Sequence, residues 1–195
     1  IDARELADRL ANPFGRTAQQ PSTVEVDPAE LAGNLESMLQ GKPGGERDRF
    51  MQQVVDPETG LFKASLWEHR FEEEYKRAMR FRFPLGLVAF SFDGEADAVT
   101  LLEVAAVILT DTRDVDIVGR LDANTFVALL PHTGPGGTEH FALRVLGGLK
   151  QPRFKDLLGE ELDWSVSSAV GPDATLDSAE AFLRQVLSGL NQLPA

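Results

Sequence analysis

Thr112-Arg113-Asp114-Val115-Asp116-Ile117-Val118-Gly119-Arg120-Leu121-Asp122-Ala123-Asn124-Thr125-Phe126-Val127-Ala128-Leu129-Leu130-Pro131-His132-Thr133 is the stretch that decides the fold. Two apolar runs, Asp116–Leu121 and Phe126–Pro131, flank the short polar break Asp122-Ala123-Asn124-Thr125. β-Branched and apolar runs around a short polar break predict a β-hairpin. A hairpin presents its turn on a tight exposed loop, where chemistry is often carried. The polar residues before Asp116 sit where the first strand begins.

Helices and strands alternate on either side of the hairpin. Upstream, Ala96–Thr110 reads as a helix with Leu101, Leu102, Ala105, Ile108 and Leu109 facing the core. Before it, Leu85–Phe92 is a dense apolar run of strand length, which predicts a central buried strand. Asp93-Gly94-Glu95 breaks that run. The spacing predicts a further helix over Ser65–Arg82, with Trp67, Phe71, Tyr75, Ala78 and Met79 on one face and Pro84 as its stop. Its acidic residues come early and its basic ones late, an order that suits the helix dipole. Downstream, Gly134–Gly137 reads as a loop, Thr138–Leu149 as a helix, Trp164–Val170 as a strand and Ser178–Leu190 as a last helix.

The order after the lead helix is β-α-β-β-α-β, then a helix. Right-handed crossovers through the helices turn that order into an antiparallel sheet with helices packed on it. The predicted class is α+β, ferredoxin-like. Residues 1–54 have another texture. Pro13, Gly15 and Pro21 interrupt the start, Asp27-Pro28 is a good helix start, and Gly41–Gly45 is rich in breakers. The expected division is a helical or linker segment over 1–54 and a domain over 55–195.

The 195 residues carry a formal net charge of −12 and no cysteine. Disulfides and thiolate metal sites are thereby excluded, and a diffuse acidic surface disfavours nucleic acid polymers and anionic membranes. No apolar run reaches membrane-spanning length. The chain begins at Ile1 with no signal-peptide pattern, and the expectation is a piece of a longer protein.

Several short motifs stand in a telling order. Asp56-Pro57-Glu58-Thr59-Gly60-Leu61 is a turn before the first long helix, and Pro84-Leu85 leads the buried strand. Arg120-Leu121 precedes the hairpin turn, Phe126 closes it, and Leu130-Pro131-His132-Thr133 ends the second strand. Ser165-Val166-Ser167-Ser168-Ala169-Val170 is the late strand. In this order they resemble the GGDEF domain family, the bacterial diguanylate cyclases, over Asp56 to about Leu190.

The resemblance implies a GGDEF-type fold, and the departures from it bear on activity. Diguanylate cyclases join two GTP molecules and use acidic residues to hold divalent metal, which neutralises phosphate charge and activates the nucleophile. The family's Asp at the end of the first strand aligns with Ser91. Its two signature glycines align with Asp122 and Ala123, and its two signature acids with Asn124 and Thr125. The family's guanine-contacting segment after the first strand is largely missing, because Asp93 leads almost directly into a helix. The expectation is a degenerate domain with no enzymatic activity, no bound metal and no cofactor.

The resemblance also implies a surviving ligand site. The family's inhibitory site for cyclic di-GMP is an Arg-x-x-Asp tetrad whose Asp lies six positions before the first signature residue. Arg113-Asp114-Val115-Asp116 meets that register, and Arg144 occupies the place of a further Arg on the helix after the hairpin. A guanidinium can pair bidentately with guanine O6 and N7 or hold a phosphate. Cyclic di-GMP is the expected ligand. Bound as a stacked pair bridging two domains, it implies a ligand-dependent homodimer. The setting implied is the bacterial cytoplasm, with tethering through an upstream domain left open.

A plainer reading stands beside each candidate. Arg-x-x-Asp occurs a second time, at Arg153–Asp156, and an exposed Arg–Asp pair contributes well under about 1 kcal/mol. Register and Arg144 favour the first tetrad. Asp93–Asp97 suits helix capping better than calcium binding. Gly134-Pro135-Gly136-Gly137 lacks the Gly-Lys-Ser/Thr of a phosphate loop. His132 and His140 read as surface residues. Trp67, Phe71 and Tyr75 read as core, and Lys76–Arg82 as a solvated face. The alternative function is a ligand-free interaction or dimerisation module, with 28–54 as a coiled-coil or transmission helix.

Overall fold

A computed structural model describes residues 52–173 and 178–190. The expectations for residues 1–51, including the breaker-rich joint at Gly41–Gly45, lie outside the described residues. The elements run β1 (Phe62–Lys63), α1 (Ala64–Phe81), β2 (Leu85–Phe92), α2 (Ala98–Thr110), β3 (Ile117–Arg120), β4 (Thr125–Pro131), α3 (Pro135–Leu149), β5 (Trp164–Gly171) and α4 (Ala179–Leu190).

The five strands form one sheet in the order β1-β3-β4-β2-β5. β2 is an inner strand, one place from the β5 edge rather than at the centre, and is antiparallel to both β4 and β5, which buries its unbroken apolar run. β3 and β4 form the hairpin, with Arg120 opposite Phe126. The short strand β1, which the sequence reading does not contain, adds in parallel to β3 through Phe62↔Gly119 and Lys63↔Arg120. The sheet is therefore mixed rather than wholly antiparallel. The fold is α+β, with four antiparallel strands and one parallel edge.

Alternation along the strands sends side chains to both faces of the sheet. Val88, Phe90, Phe126 and Ala128 meet Leu101, Val104 and Ile108 of α2 and Phe141 and Val145 of α3. Leu87, Ala89, Val127 and Leu129 meet Trp67, Phe71 and Tyr75 of α1 and Phe182 and Val186 of α4. The aromatics of α1 are thus core. Trp67 and Phe71 stack with centroids 5.2 Å apart, and the Trp67 indole donates to the Ile117 carbonyl at 3.0 Å.

Several expectations are corrected. Met79 is exposed, although it shares the helical period of α1. Leu102 and Leu109 of α2 also lie on the outer surface rather than in the core. Glu74 of α1 is buried, with its carboxylate on Arg77 at 2.6 Å. α3 begins at Pro135, within the stretch read as a loop, because proline is suited to the first helical position. α1 ends at Arg82, whose φ of 56° gives a left-handed cap, two residues before Pro84. Asp97 does cap α2, accepting from the Thr100 amide at 2.7 Å. Among the described residues no helix is long and apolar enough to cross a membrane.

Candidate functional site

The hairpin turn is held by its own side chains. Asp122 Oδ1 accepts from the amides of Asn124 and Thr125, each at 2.9 Å, which is the geometry of an Asx turn. Asn124 Nδ2 donates to the Gly94 carbonyl at 2.9 Å and ties the turn to the loop after β2. Ser91 and Thr125 stand opposite each other in the β2–β4 register. Ser91, Asp122, Ala123, Asn124 and Thr125, the positions that the resemblance aligns with the family's active site, are therefore brought together at one end of the sheet.

Arg120 organises this end. Its Nη1 lies 3.1 Å from Asp56 Oδ2 and 2.5 Å from Glu58 Oε2. Its Nε donates to the Asp122 carbonyl at 3.1 Å and its Nη2 to the Ala123 carbonyl at 2.8 Å. One guanidinium thus joins the Asp56–Leu61 turn to the hairpin turn. Burial alone raises the Asp56 pKa. Hydrogen bonds from Thr59 and Arg120, with the Arg120 charge, outweigh it and hold the carboxyl below its ordinary value. Burial lowers Arg120, but Glu58 and Asp56 outweigh it and keep the guanidinium above its ordinary value. This clamp was not legible in the sequence. Both turns were, but nothing local pairs residues 64 positions apart.

The chemistry offered by the turn is neutral or already engaged. Asp122 serves the backbone, Asn124 serves Gly94, and Ser91 and Thr125 carry hydroxyls. Among the described residues no three His, Asp or Glu side chains gather in a group suited to a metal ion.

The second cluster lies at the other end of β3, roughly 13 Å away for four residues of strand. Thr112 Oγ1 donates to the Leu109 carbonyl at 2.9 Å and closes the end of α2. Arg113 and Asp116 then form a tight reciprocal turn. The Arg113 amide donates to Asp116 Oδ2 at 2.7 Å, and the Asp116 amide donates to the Arg113 carbonyl at 3.0 Å. Asp116 Oδ1 is buried without a hydrogen-bond partner. Burial pushes the Asp116 carboxyl above its ordinary value, against the pull of the Arg113 amide and charge.

Arg144 reaches this cluster from α3. Its Nε lies 2.6 Å from Asp111 Oδ1, and its Nη2 donates to the Asp111 carbonyl at 3.1 Å. Asp111 is two residues before Arg113, so Arg113, Asp116 and Arg144 share one surface region. The Arg113 side chain is exposed and makes no hydrogen bond or ion pair with another described residue. The second tetrad differs. Asp156 Oδ1 accepts from the Leu158 and Glu160 amides at 2.9 and 2.8 Å, and Arg153 lies over the Phe154 ring. It is a loop brace.

A larger hollow, about 910 Å³, lies between α1 and α4, lined by Phe71, Tyr75, Lys76, Met79 and Leu183 among others. None of its lining residues belongs to either cluster, and its rim carries Glu68, Glu72, Arg80 and Glu180 besides Lys76. His132 and His140 are exposed, His132 stacking on Phe83 at 4.0 Å.

No family model and no curated protein matches the sequence. Solved structures do match the fold. The GGDEF domain of FimX from Pseudomonas aeruginosa is 17% identical with a TM-score of 0.63, covering 71% of this chain and 91% of that one. The GGDEF domain of DgcB from Caulobacter crescentus, solved in complex with c-di-GMP, is 11% identical with a TM-score of 0.61, covering 71% of this chain and 86% of that one. The active GGEEF domain of a diguanylate cyclase from Vibrio cholerae is 17% identical with a TM-score of 0.59, covering 68% and 90%. At such identities the likeness is one of architecture, and this chain carries a domain of the GGDEF-type fold.

Proposed function

We propose that this domain is a catalytically inactive GGDEF-type module that receives cyclic di-GMP at Arg113, Asp116 and Arg144. The observation that carries the reading is the reciprocal Arg113–Asp116 turn with Arg144 secured beside it through Asp111. An exposed guanidinium is available for a guanine edge or a phosphate. Asp116 Oδ1 lacks a partner and is an acceptor for guanine N1–H and N2–H₂ once the carboxylate turns outward. The solved relative in complex with c-di-GMP supports the choice of ligand.

Inactivity is supported by the residues at the hairpin. Phosphodiester formation from two GTP molecules needs carboxylates on metal. Ser91, Asn124 and Thr125 supply none, and Asp122 is occupied by two backbone amides.

Calorimetric titration of the chain with cyclic di-GMP tests the ligand. The expected result is binding heat in the wild type, lost in Arg113→Ala and weakened in Arg144→Ala. No heat in the wild type, or an unchanged affinity in Arg113→Ala, overturns it. Incubation with GTP and Mg²⁺ is expected to yield no cyclic di-GMP. Turnover that disappears in Asn124→Ala overturns the inactive reading. A second reading, a ligand-free interaction module, is favoured by the uncovered apolar face of α2.

A further inference from the structure

Arg144 is held by one edge. Its Nε pairs with Asp111 Oδ1 at 2.6 Å and its Nη2 donates to the Asp111 carbonyl at 3.1 Å, so the side edge of the fork is bidentate on a single residue. A guanidinium carries its N–H donors in one plane, in a fixed fork. The side edge is spent on Asp111. The parallel pair on the end edge, one N–H from Nη1 and one from Nη2, makes no hydrogen bond to another described residue. The Arg144 side chain is 46% exposed and that of Asp111 24%, so the carboxylate sits behind and the guanidinium faces out.

The end of α2 does not call for that carboxylate. Asp111 is the C-cap of α2, and its backbone N–H closes the cap on the Ile108 and Leu109 carbonyls. A cation suits the C-terminus of a helix and an anion opposes it. Arg144 by itself satisfies the helix dipole there, and the Asp111 charge works against it.

We infer, on the reading of this cluster as a nucleotide site, that Asp111 is a positioning residue: it fixes Arg144 by the side edge and presents the end edge, in the region of Arg113 and Asp116, to the nucleotide. Two parallel end-on donors match the two free oxygens of a phosphodiester, or O6 and N7 of guanine. Asp111 stands two residues before Arg113, so the segment that carries the Arg113–Asp116 turn also aims the arginine that α3 supplies. A long side chain that is already ordered spares the complex the entropy of ordering it, an effect of about two- to tenfold in affinity.

The test is calorimetry of the full chain with cyclic di-GMP on the wild type, Asp111→Ala, Asp111→Asn, Arg144→Ala and the variant carrying both alanines, with thermal melting as the check on folding. Asp111→Ala is expected to bind more weakly, by about two- to tenfold. Asp111→Asn keeps an acceptor for Nε and is expected to recover most of that loss. In the Arg144→Ala background, Asp111→Ala is expected to cost nothing further, whereas a general loosening of the α2 end would cost the same in either background. The ligand-free chain gives an independent reading by proton–nitrogen NMR: the Arg144 Nε–H is expected to be protected from exchange in the wild type and Asp111→Asn, and unprotected in Asp111→Ala. Unchanged affinity in Asp111→Ala, or an equal loss with and without Arg144, overturns the inference and leaves the ligand reading standing. No heat in the wild type overturns the ligand reading, and the inference with it. Should Arg144→Ala bind too weakly to measure, the recovery in Asp111→Asn and the Nε–H protection decide.

Discussion

Arg120 and Asp56 meet across 3.1 Å, although 64 residues separate them in the chain. The Arg120 side chain is 10% exposed and that of Asp56 16%. Arg120 also holds the carbonyls of Asp122 and Ala123, so removing it leaves a mostly buried carboxylate without its counter-charge, though still held by Thr59, and two turn carbonyls without their donor. Arg120→Ala is expected to cost about 2–3 kcal/mol in urea unfolding, below the full range for breaking a buried pair because part of the site is wet. Glu58→Ala removes only the exposed partner and is expected to cost under about 1 kcal/mol.

The same pair sets a pH dependence. The folded Asp56 carboxyl titrates below its unfolded value. In the window between the two values the unfolded chain binds more protons, so stability rises with pH there. The contribution is complete above the unfolded value near 3.8 and is lost as pH falls through the lower folded value. Unfolding curves from pH 2 to 6 are expected to show this acid slope in the wild type and a shallower one in Arg120→Ala. An equal slope in both would separate Arg120 from the titration.

Asp116 has the opposite sign. Its folded carboxyl titrates above the unfolded value, so the folded chain binds more protons in that window. Stability therefore falls as pH rises from the unfolded value through the folded one. Asp116→Asn keeps an acceptor for the Arg113 amide and removes the buried charge. It is expected to be at least as stable as the wild type at pH 7, with a flatter profile above pH 4. Cyclic di-GMP affinity is expected to fall in the same variant, because an amide cannot accept from both guanine donors.

Gly119 lies under Trp67. A methyl group there would stand 2.6 Å from the indole carbons. The indole is fixed by its bond to the Ile117 carbonyl and by its stacking on Phe71, so it has little room to yield. Gly119→Ala is expected to destabilise the fold by about 2–3 kcal/mol through overpacking. Gly136→Ala, with nothing within 4 Å, is the control and is expected to fold normally.

Asp122, which the resemblance sets against a signature glycine, works for the backbone. Asp122→Ala leaves the Asn124 and Thr125 amides without their acceptor and is expected to cost about 1 kcal/mol. Asp122→Asn retains one acceptor oxygen and is expected to recover most of that loss. Thermal melting of the three proteins decides it.

The sequence by itself determined the order of the longer elements, the burial of β2, the hairpin and the two turns. These rest on short-range physics: period 2 or 3.6, the φ of proline, and the capping by Asp97. It also placed Arg113 and Asp116 where the first hairpin strand begins. Tertiary structure decided what those residues touch. Period marks which side chains are apolar, but not which apolar face meets a neighbour, so Met79, Leu102 and Leu109 read as core and stand outside it. The two-residue strand β1 is too short to show a period and exists through its pairing with β3. The hairpin turn shows the division most clearly. Its residue types were readable position by position, whereas its rigidity comes from Arg120 gripping Asp56 and Glu58, a contact that exists only once distant parts of the chain are folded side by side.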